Sequence, residues 1–239
     1  MIFNFEEKPS DSPYVEVVWR NHSESGGYFM SMASSHWQMV ITKHGGKTKL
    51  TVRGPETKAT PAYCPPGAEH FGIYFKHGVV MPHLPTIHLR DGMLDLPEAR
   101  SDSFWLNGSS WQFPDYENAD TFVDCLVRDE LLVREPVVDS TLQADPPAVS
   151  VRSVQRRFLR ATGLTRGTLS QIDRARYATS LLQQGVSILD TVELAGYADQ
   201  PHLTRSMKHF IGLTPAQLIR DRETEQLSFL SRLNQPSGY

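Results

Sequence analysis

The pattern of hydrophobic positions divides the chain into a first part that predicts strands and a second part that predicts helices. Five short runs of β-branched and aromatic residues occupy 14–19, 28–33, 38–42, 49–53 and 70–75. Glycine and proline separate these runs, and the glycines of His44-Gly45-Gly46 predict a hairpin turn, because glycine tolerates positive φ. We expect a β-rich barrel or sandwich here, whereas residues 81–114 show no regular pattern.

From about Asn118 the apolar residues recur at helical spacing. Phe122, Cys125 and Leu126 fit one face of a helix, and Pro136 can open the next helix in its first turn. The change of pattern predicts an α+β protein of two domains, a β-rich domain at 1–115 and an all-helical domain at 116–232. A flexible tail is expected at 233–239.

An internal repeat lies in the helical part. The 20 residues from Ser150 align without a gap with the 20 residues from Asp199, and Gly163-Leu164-Thr165 falls on Gly212-Leu213-Thr214. Ser150 and Asp199 are good N-cap residues, and each glycine can end a helix in the left-handed conformation. The repeat therefore predicts two similar capped helices, each with one apolar face, formed by positions 154, 158 and 161 in the first copy and 203, 207 and 210–211 in the second.

The residues between and around the two copies predict helix-turn-helix motifs. Ser187 can cap a supporting helix, which Gly196-Tyr197 separates from the second copy by a tight turn. Residues 168–184 predict one long helix of about 25 Å, at 1.5 Å per residue, which Gly185 ends. Such a helix can hold two reading helices about one DNA turn apart, which is ~34 Å.

The charge is distributed unevenly along the chain. Residues 1–149 contain 12 Lys and Arg against 20 Asp and Glu, whereas residues 150–222 contain 11 against 5. A basic segment of this kind indicates contact with a polyanion.

No apolar run approaches the ~18 residues of a membrane helix, the N-terminus lacks the pattern of a secretory signal, and Cys64 and Cys125 have no metal-like spacing. We therefore expect a cytoplasmic protein without a membrane partner.

Over about residues 118–222 these motifs resemble the AraC/XylS family of bacterial transcription regulators. The strongest stretch is SILDTVELAGYADQPHLTRSMKHFIGLTPAQL. The resemblance implies that six residues of the two repeated helices read bases: Arg152, Gln155, Arg156, Gln200, Thr204 and Arg205. Arginine and glutamine suit this role because each makes paired hydrogen bonds to base edges in the major groove. Contacts to the DNA backbone are expected from Arg174, His202 and Lys208.

The sequence departs from the family pattern in the turn before the first repeated helix. Asp145-Pro146-Pro147-Ala148 makes the turn there longer and stiffer than is usual in the family. We therefore expect the second motif to carry more of the sequence specificity than the first.

The N-terminal domain resembles a cupin, a fold that in this family binds an effector or forms dimers. Pro65, Gly67 and His70 match one cupin motif, but the H-x-H of the other is absent, since His36 is followed by Trp37-Gln38. We expect no metal and no cofactor. An effector pocket is expected around Trp37, Tyr63, His70, Tyr74 and Trp105, for an uncharged or weakly polar molecule; the alternative is that these aromatic residues form ordinary core.

The sequence thus predicts a DNA-binding transcription regulator, activator or repressor, that is not an enzyme. Its expected partners are double-stranded promoter or operator DNA, a small-molecule effector, RNA polymerase and a second copy of the chain in a homodimer. Two alternatives stay open: a cupin-type enzyme with an appended helical domain, and a ligand-independent regulator whose N-terminal domain only dimerises.

Overall fold

A computed structural model describes residues 3–100, 102–143 and 149–221. Within these residues the first part of the chain is β-rich and the second is helical, as the sequence predicts. The turn expected to be stiffened by Pro146-Pro147 and the tail expected at 233–239 lie outside the described residues.

The β-rich domain is built on a six-stranded antiparallel sheet of β1 (Phe3–Lys8), β2 (Val15–Ser23), β4 (Gln38–His44), β5 (Lys47–Arg53), β7 (Glu69–Phe75) and β9 (Met93–Asp95). The order of the strands in this sheet is β1-β2-β7-β4-β5-β9. A three-stranded sheet contains β10 (Glu98–Arg100), β11 (Ser103–Leu106) and β12 (Ser109–Gln112). Two small sheets pair β3 (Gly27–Ser31) with β6 (Thr60–Cys64), and β8 (Val79–Val80) with β13 (Val133–Arg134).

The predicted hairpin between β4 and β5 is confirmed. Gly45 and Gly46 form its two-residue loop with φ values of 58° and 74°. Positive φ at both loop residues defines the turn type whose twist matches that of the paired strands. The turn fixes the register of the two central strands, and with it the face to which each side chain points.

The region 81–114, which shows no regular pattern in the sequence, contains a 3₁₀ helix (Thr86–Leu89) and four short strands, β9 to β12. These elements are three or four residues long, too short for hydrophobic alternation to identify them. Phe104 of β11 is fully buried against the face of the large sheet that carries Phe71 and Ile73. The region 81–114 therefore covers the first hydrophobic core.

The first core continues past the boundary expected between residues 115 and 116. Helix α1 (Ala119–Arg128) packs into this core through Phe122, Val123 and Leu126, together with the following Leu131 and Leu132. Its periodicity predicts a helix correctly, but periodicity does not reveal the surface against which a helix packs. The change of core lies between Leu132 and Val138.

The second core is helical. It is formed by α2 (Pro136–Leu142), α3 (Val151–Thr162), α4 (Arg166–Gln183), α5 (Ile188–Leu194), α6 (Gln200–Phe210) and α7 (Pro215–Asp221). Pro136 opens α2 as predicted, and α4 is the expected long helix, with 18 residues and a length of about 27 Å. Helices α5, α6 and α7 pack against α4.

Candidate nucleic-acid interface

The two repeated segments fold into the capped helices that the repeat predicts, α3 and α6. The Ser150 hydroxyl accepts a hydrogen bond from the amide of Ser153 at 3.4 Å, and the Asp199 carboxylate accepts one from the amide of His202 at 2.6 Å. Gly163 and Gly212 follow the two helices with φ values of 72° and 87°. Each helix thus begins on a side-chain cap and ends at a left-handed glycine.

Each of these helices buries one face and exposes the other. Phe158 and Ala161 of α3 are buried, as are Leu203, Met207 and Phe210 of α6. The predicted apolar stripes are therefore confirmed, although Val154 in the first stripe is only half-buried. The polar residues on the opposite faces are left for contact with a partner.

The six residues expected to read bases lie on these outer faces. All are exposed except Thr204, which is half-buried: Arg152, Gln155, Arg156, Gln200, Thr204 and Arg205. Among residues 3–100, 102–143 and 149–221, none of their side chains has a hydrogen-bond or ion-pair partner. Neighbouring Arg157 differs, since its guanidinium holds the Glu135 carboxylate at 2.7 Å and 3.2 Å. Their unpaired donors and acceptors remain free to bind an external ligand.

The three residues expected to contact the DNA backbone all have partners inside the helical domain. Arg174 donates a hydrogen bond to the Gly196 carbonyl at 3.4 Å, and its guanidinium lies 5.7 Å from the centre of the Tyr197 ring. The His202 ring meets Tyr197 edge-on at 5.0 Å. Lys208 donates to the Gly212 carbonyl at 3.1 Å, at the C-terminal end of α6. Arg174 and His202 therefore also hold the turn before α6.

The second helix-turn-helix is complete in the described residues. Ser187 caps α5 by accepting a hydrogen bond from the Asp190 amide at 3.1 Å, and Gly196, with a φ of 68°, makes the turn into α6. The Tyr197 hydroxyl lies 2.9 Å from that of Ser206, which ties the turn to α6. Burial raises the pKa of Tyr197, so this hydroxyl stays protonated at neutral pH. The supporting helix and turn predicted from the sequence are confirmed.

The five residues expected to form an effector pocket do not meet in one place. Trp37 is buried and stacks on Phe75 at 4.0 Å, whereas Tyr63 and Trp105 are 57% and 46% exposed. Tyr74 packs with Trp19, Phe5 and Val40 in a separate small cluster. Of the five, His70 lines one cavity of this domain.

That cavity has a volume of about 300 Å³ and lies over one end of the six-stranded sheet. Its apolar floor contains Ile41 and Phe71, which are paired in register on β4 and β7. Charged residues surround the floor: Glu6, Arg20, Lys43, Glu69 and Asp115. Arg20 lies over the ring of Tyr116 at 4.4 Å and pairs with Glu6 at 2.6 Å. These residues could not be identified from the sequence, because only strand register places them together.

Neither His70 nor Cys64 of the N-terminal domain shows a sign of chemical activation. The His70 ring contacts the Asn21 side chain at 2.9 Å, and burial lowers its pKa. Burial raises the pKa of the Cys64 thiol, which disfavours the nucleophilic thiolate. In the portion of the chain that the structure describes, no three His, Cys, Asp or Glu side chains are grouped as metal ligands. No helix in that portion is long and apolar enough to cross a membrane.

Comparison with known proteins supports the presence of a helix-turn-helix domain in the helical part of the chain. Residues 144–221 match a family described as a helix-turn-helix domain. The HTH-type transcriptional regulator RipA of Corynebacterium glutamicum is 34% identical over 89 residues, which are 36% of this chain. The matched segment spans 27% of the length of that relative. No solved structure matches the chain.

Proposed function

We propose that the chain is a sequence-specific, DNA-binding transcription regulator of the AraC family, because residues 144–221 match a helix-turn-helix domain and a similar stretch occurs in an HTH-type transcriptional regulator. The observation that carries the proposal is the contrast within the two capped helices. Arg152, Arg156 and Arg205 are exposed and unpaired in the described residues, whereas Arg157 is neutralised by Glu135. Unpaired arginine and glutamine side chains on the outer face of a reading helix suit hydrogen bonding to base edges.

The proposal is tested by selecting DNA from a random pool with the full chain, and then replacing Arg205 with Ala. The variant is expected to lose about 1–3 kcal/mol of binding free energy and to relax the preference at one base position. Its circular dichroism should match that of the parent, because the Arg205 side chain has no partner in the described part of the protein. If the parent enriches no DNA sequence, the proposed function is wrong.

A small-molecule effector bound in the N-terminal domain is the second part of the proposal. The cavity over the sheet supports it, because 300 Å³ is within the range of small-molecule sites. Its charged rim changes the expected ligand from an uncharged molecule to a polar one that carries both charged and apolar groups. Arg20 and Lys43 suit an anionic group, Glu69 suits a cationic one, and Phe71 suits an apolar one.

A thermal-shift screen of zwitterionic and uncharged small molecules tests this part. A ligand at 100 times its dissociation constant adds about 2.7 kcal/mol to the free energy of unfolding. Arg20→Ala should abolish that stabilisation, whereas Arg128→Ala, which removes a 74% exposed arginine from α1, should retain it. Stabilisation by uncharged molecules alone, unaffected by Arg20→Ala, contradicts the assignment of the cavity.

A further inference from the structure

Two segments of the β-rich domain contact the helical domain at three places. One segment, 30–35, comprises the end of β3 and the residues that follow it, and the other, 54–59, lies between β5 and β6. We call the two segments together the platform. The backbones of Ser34 and Glu56 join the segments by two hydrogen bonds of 3.0 Å and 2.9 Å. The Glu56 carboxylate strengthens the link, since it accepts from the Ser31 hydroxyl at 3.0 Å and from Arg53 at 2.7 Å.

The platform caps the C-terminal end of the second reading helix, α6. The amide of Ala33 donates to the Phe210 carbonyl at 2.7 Å, and that of Ala59 donates to the His209 carbonyl at 2.8 Å. The last carbonyls of a helix have no partner within it, so these two bonds satisfy groups that the helix leaves unpaired. Met30 also packs so closely on Gly212 that a β-carbon there would clash with the Met30 side chain.

The platform also contacts the end of the first reading helix, α3. A β-carbon at Gly163 would lie 3.0 Å from the Cγ of Pro55 and 3.2 Å from the carbonyl oxygen of Thr86, in the adjoining 3₁₀ helix. Gly163 is therefore needed both for its positive φ and for this close approach. The C-terminal ends of both reading helices thus rest on one surface of the β-rich domain.

The third contact is with α4, which connects the two motifs. The Ser35 hydroxyl donates to the Asp173 carboxylate at 3.0 Å, and Arg176 donates to the Ala33 carbonyl at 3.3 Å. Met32 and Ala33 are buried in the hydrophobic core of the helical domain. Contacts at three separate places restrict both the separation and the relative rotation of the reading helices.

We propose that the platform is a positioning element for DNA reading, which holds α3 and α6 in the relation that lets both contact one DNA molecule. The expected effect on DNA binding rests on the proposed function, whereas the positioning of α3 and α6 by the platform does not. Glu56 lies in the platform and touches no base, so it affects DNA binding only through the relative position of α3 and α6. Its removal should reduce the coupling between the two motifs while leaving the affinity of each motif unchanged.

Glu56→Ala in the full chain tests the platform, and Asp95→Ala is its matched control. Asp95 makes the same kind of contacts, a 3.1 Å ion pair with Lys49 and a 2.6 Å hydrogen bond from Thr51, on a strand outside the platform. Spin labels at Gln155→Cys and Thr204→Cys, with Cys125 replaced by Ser, report the distance between the helices. We expect one narrow distance distribution in the parent and in Asp95→Ala, and a broadened one in Glu56→Ala.

Binding to DNA provides the second readout. On DNA that contains both recognition segments, Glu56→Ala should bind about tenfold more weakly, which corresponds to 1.4 kcal/mol. On DNA with one segment randomised, the affinities of Glu56→Ala and of the parent should agree within about twofold. Equal losses on both DNAs, or an unchanged distance distribution, overturn the proposal.

Ser35→Ala, which removes one hydrogen bond to α4, is the milder variant and decides the outcome if Glu56→Ala does not fold. It should broaden the distance distribution, and an unchanged distribution overturns the proposal. If the parent selects no DNA, the function proposed above fails, and the distance measurement still decides whether the platform positions the helices.

Discussion

Neighbouring arginines of α3 are expected to contribute very differently to DNA binding. Arg156 and Arg157 are about 100° apart around a helix of 3.6 residues per turn. Arg156 is exposed and has no partner in the described residues, whereas Arg157 forms a fork with Glu135, at 2.7 Å and 3.2 Å. The charge removed by replacing either residue with Ala is the same, so that any difference in binding reflects the position on the helix.

The expected magnitudes follow from these contacts. Arg156→Ala removes a side chain free to form a bidentate base contact, which is worth about 1–3 kcal/mol, or roughly 5- to 150-fold in affinity. Arg157→Ala breaks an ion pair in which the arginine is 43% exposed, and pairs of that kind contribute about 0.2–1 kcal/mol to stability. Arg157→Ala should therefore alter the affinity for DNA by no more than about twofold.

Fluorescence anisotropy on the selected DNA measures both affinities, and denaturant unfolding measures both stabilities. We expect Arg156→Ala to weaken binding at unchanged stability, and Arg157→Ala to lower stability slightly at nearly unchanged binding. Equal losses of affinity would mean that only net charge matters. A larger loss for Arg157→Ala would refute the assignment of the reading face.

Three further outcomes are expected. Asp199→Ala removes the cap of α6 and should lower the free energy of unfolding by about 1 kcal/mol in urea denaturation, whereas Asp199→Asn retains a capping oxygen and should not. Burial and the adjacent His36 hold the pKa of His77 well below its usual range, so the unfolded chain gains a proton as the pH falls below about 6.5 while the folded chain does not. Stability should therefore fall as the pH drops below about 6.5, and His77→Gln should flatten this dependence. Six phosphate contacts would give a slope of about −5 for log K against log salt, and a slope near zero would argue against DNA as a direct partner.

The parts of the structure that depend on local sequence could be predicted. Caps, left-handed glycines and apolar stripes act within a few residues, so the alignment of Ser150 with Asp199 identified both α3 and α6. One local signal was missed: Asn107-Gly108 forms the two-residue turn between β11 and β12, with φ values of 49° and 80°. Asn-Gly is a strong hairpin signal, but the strands around it are only four residues long.

The parts that depend on contacts distant in sequence could not be predicted. Arg20, Lys43 and Glu69 meet at the cavity only because three strands align in one register. Trp37 looked like a pocket residue, yet its indole donates to the Val79 carbonyl at 2.7 Å and it packs in the core. Residue type alone does not separate a buried aromatic side chain from one that lines a pocket.

The proposed function requires that one chain reads two segments of DNA with two similarly oriented helices. Methylation protection by the full chain on its selected DNA measures this directly, because guanine N7 lies in the major groove. We expect protection in two successive major grooves within about 20 base pairs, with the two segments in direct order. Protection confined to a single groove would contradict it.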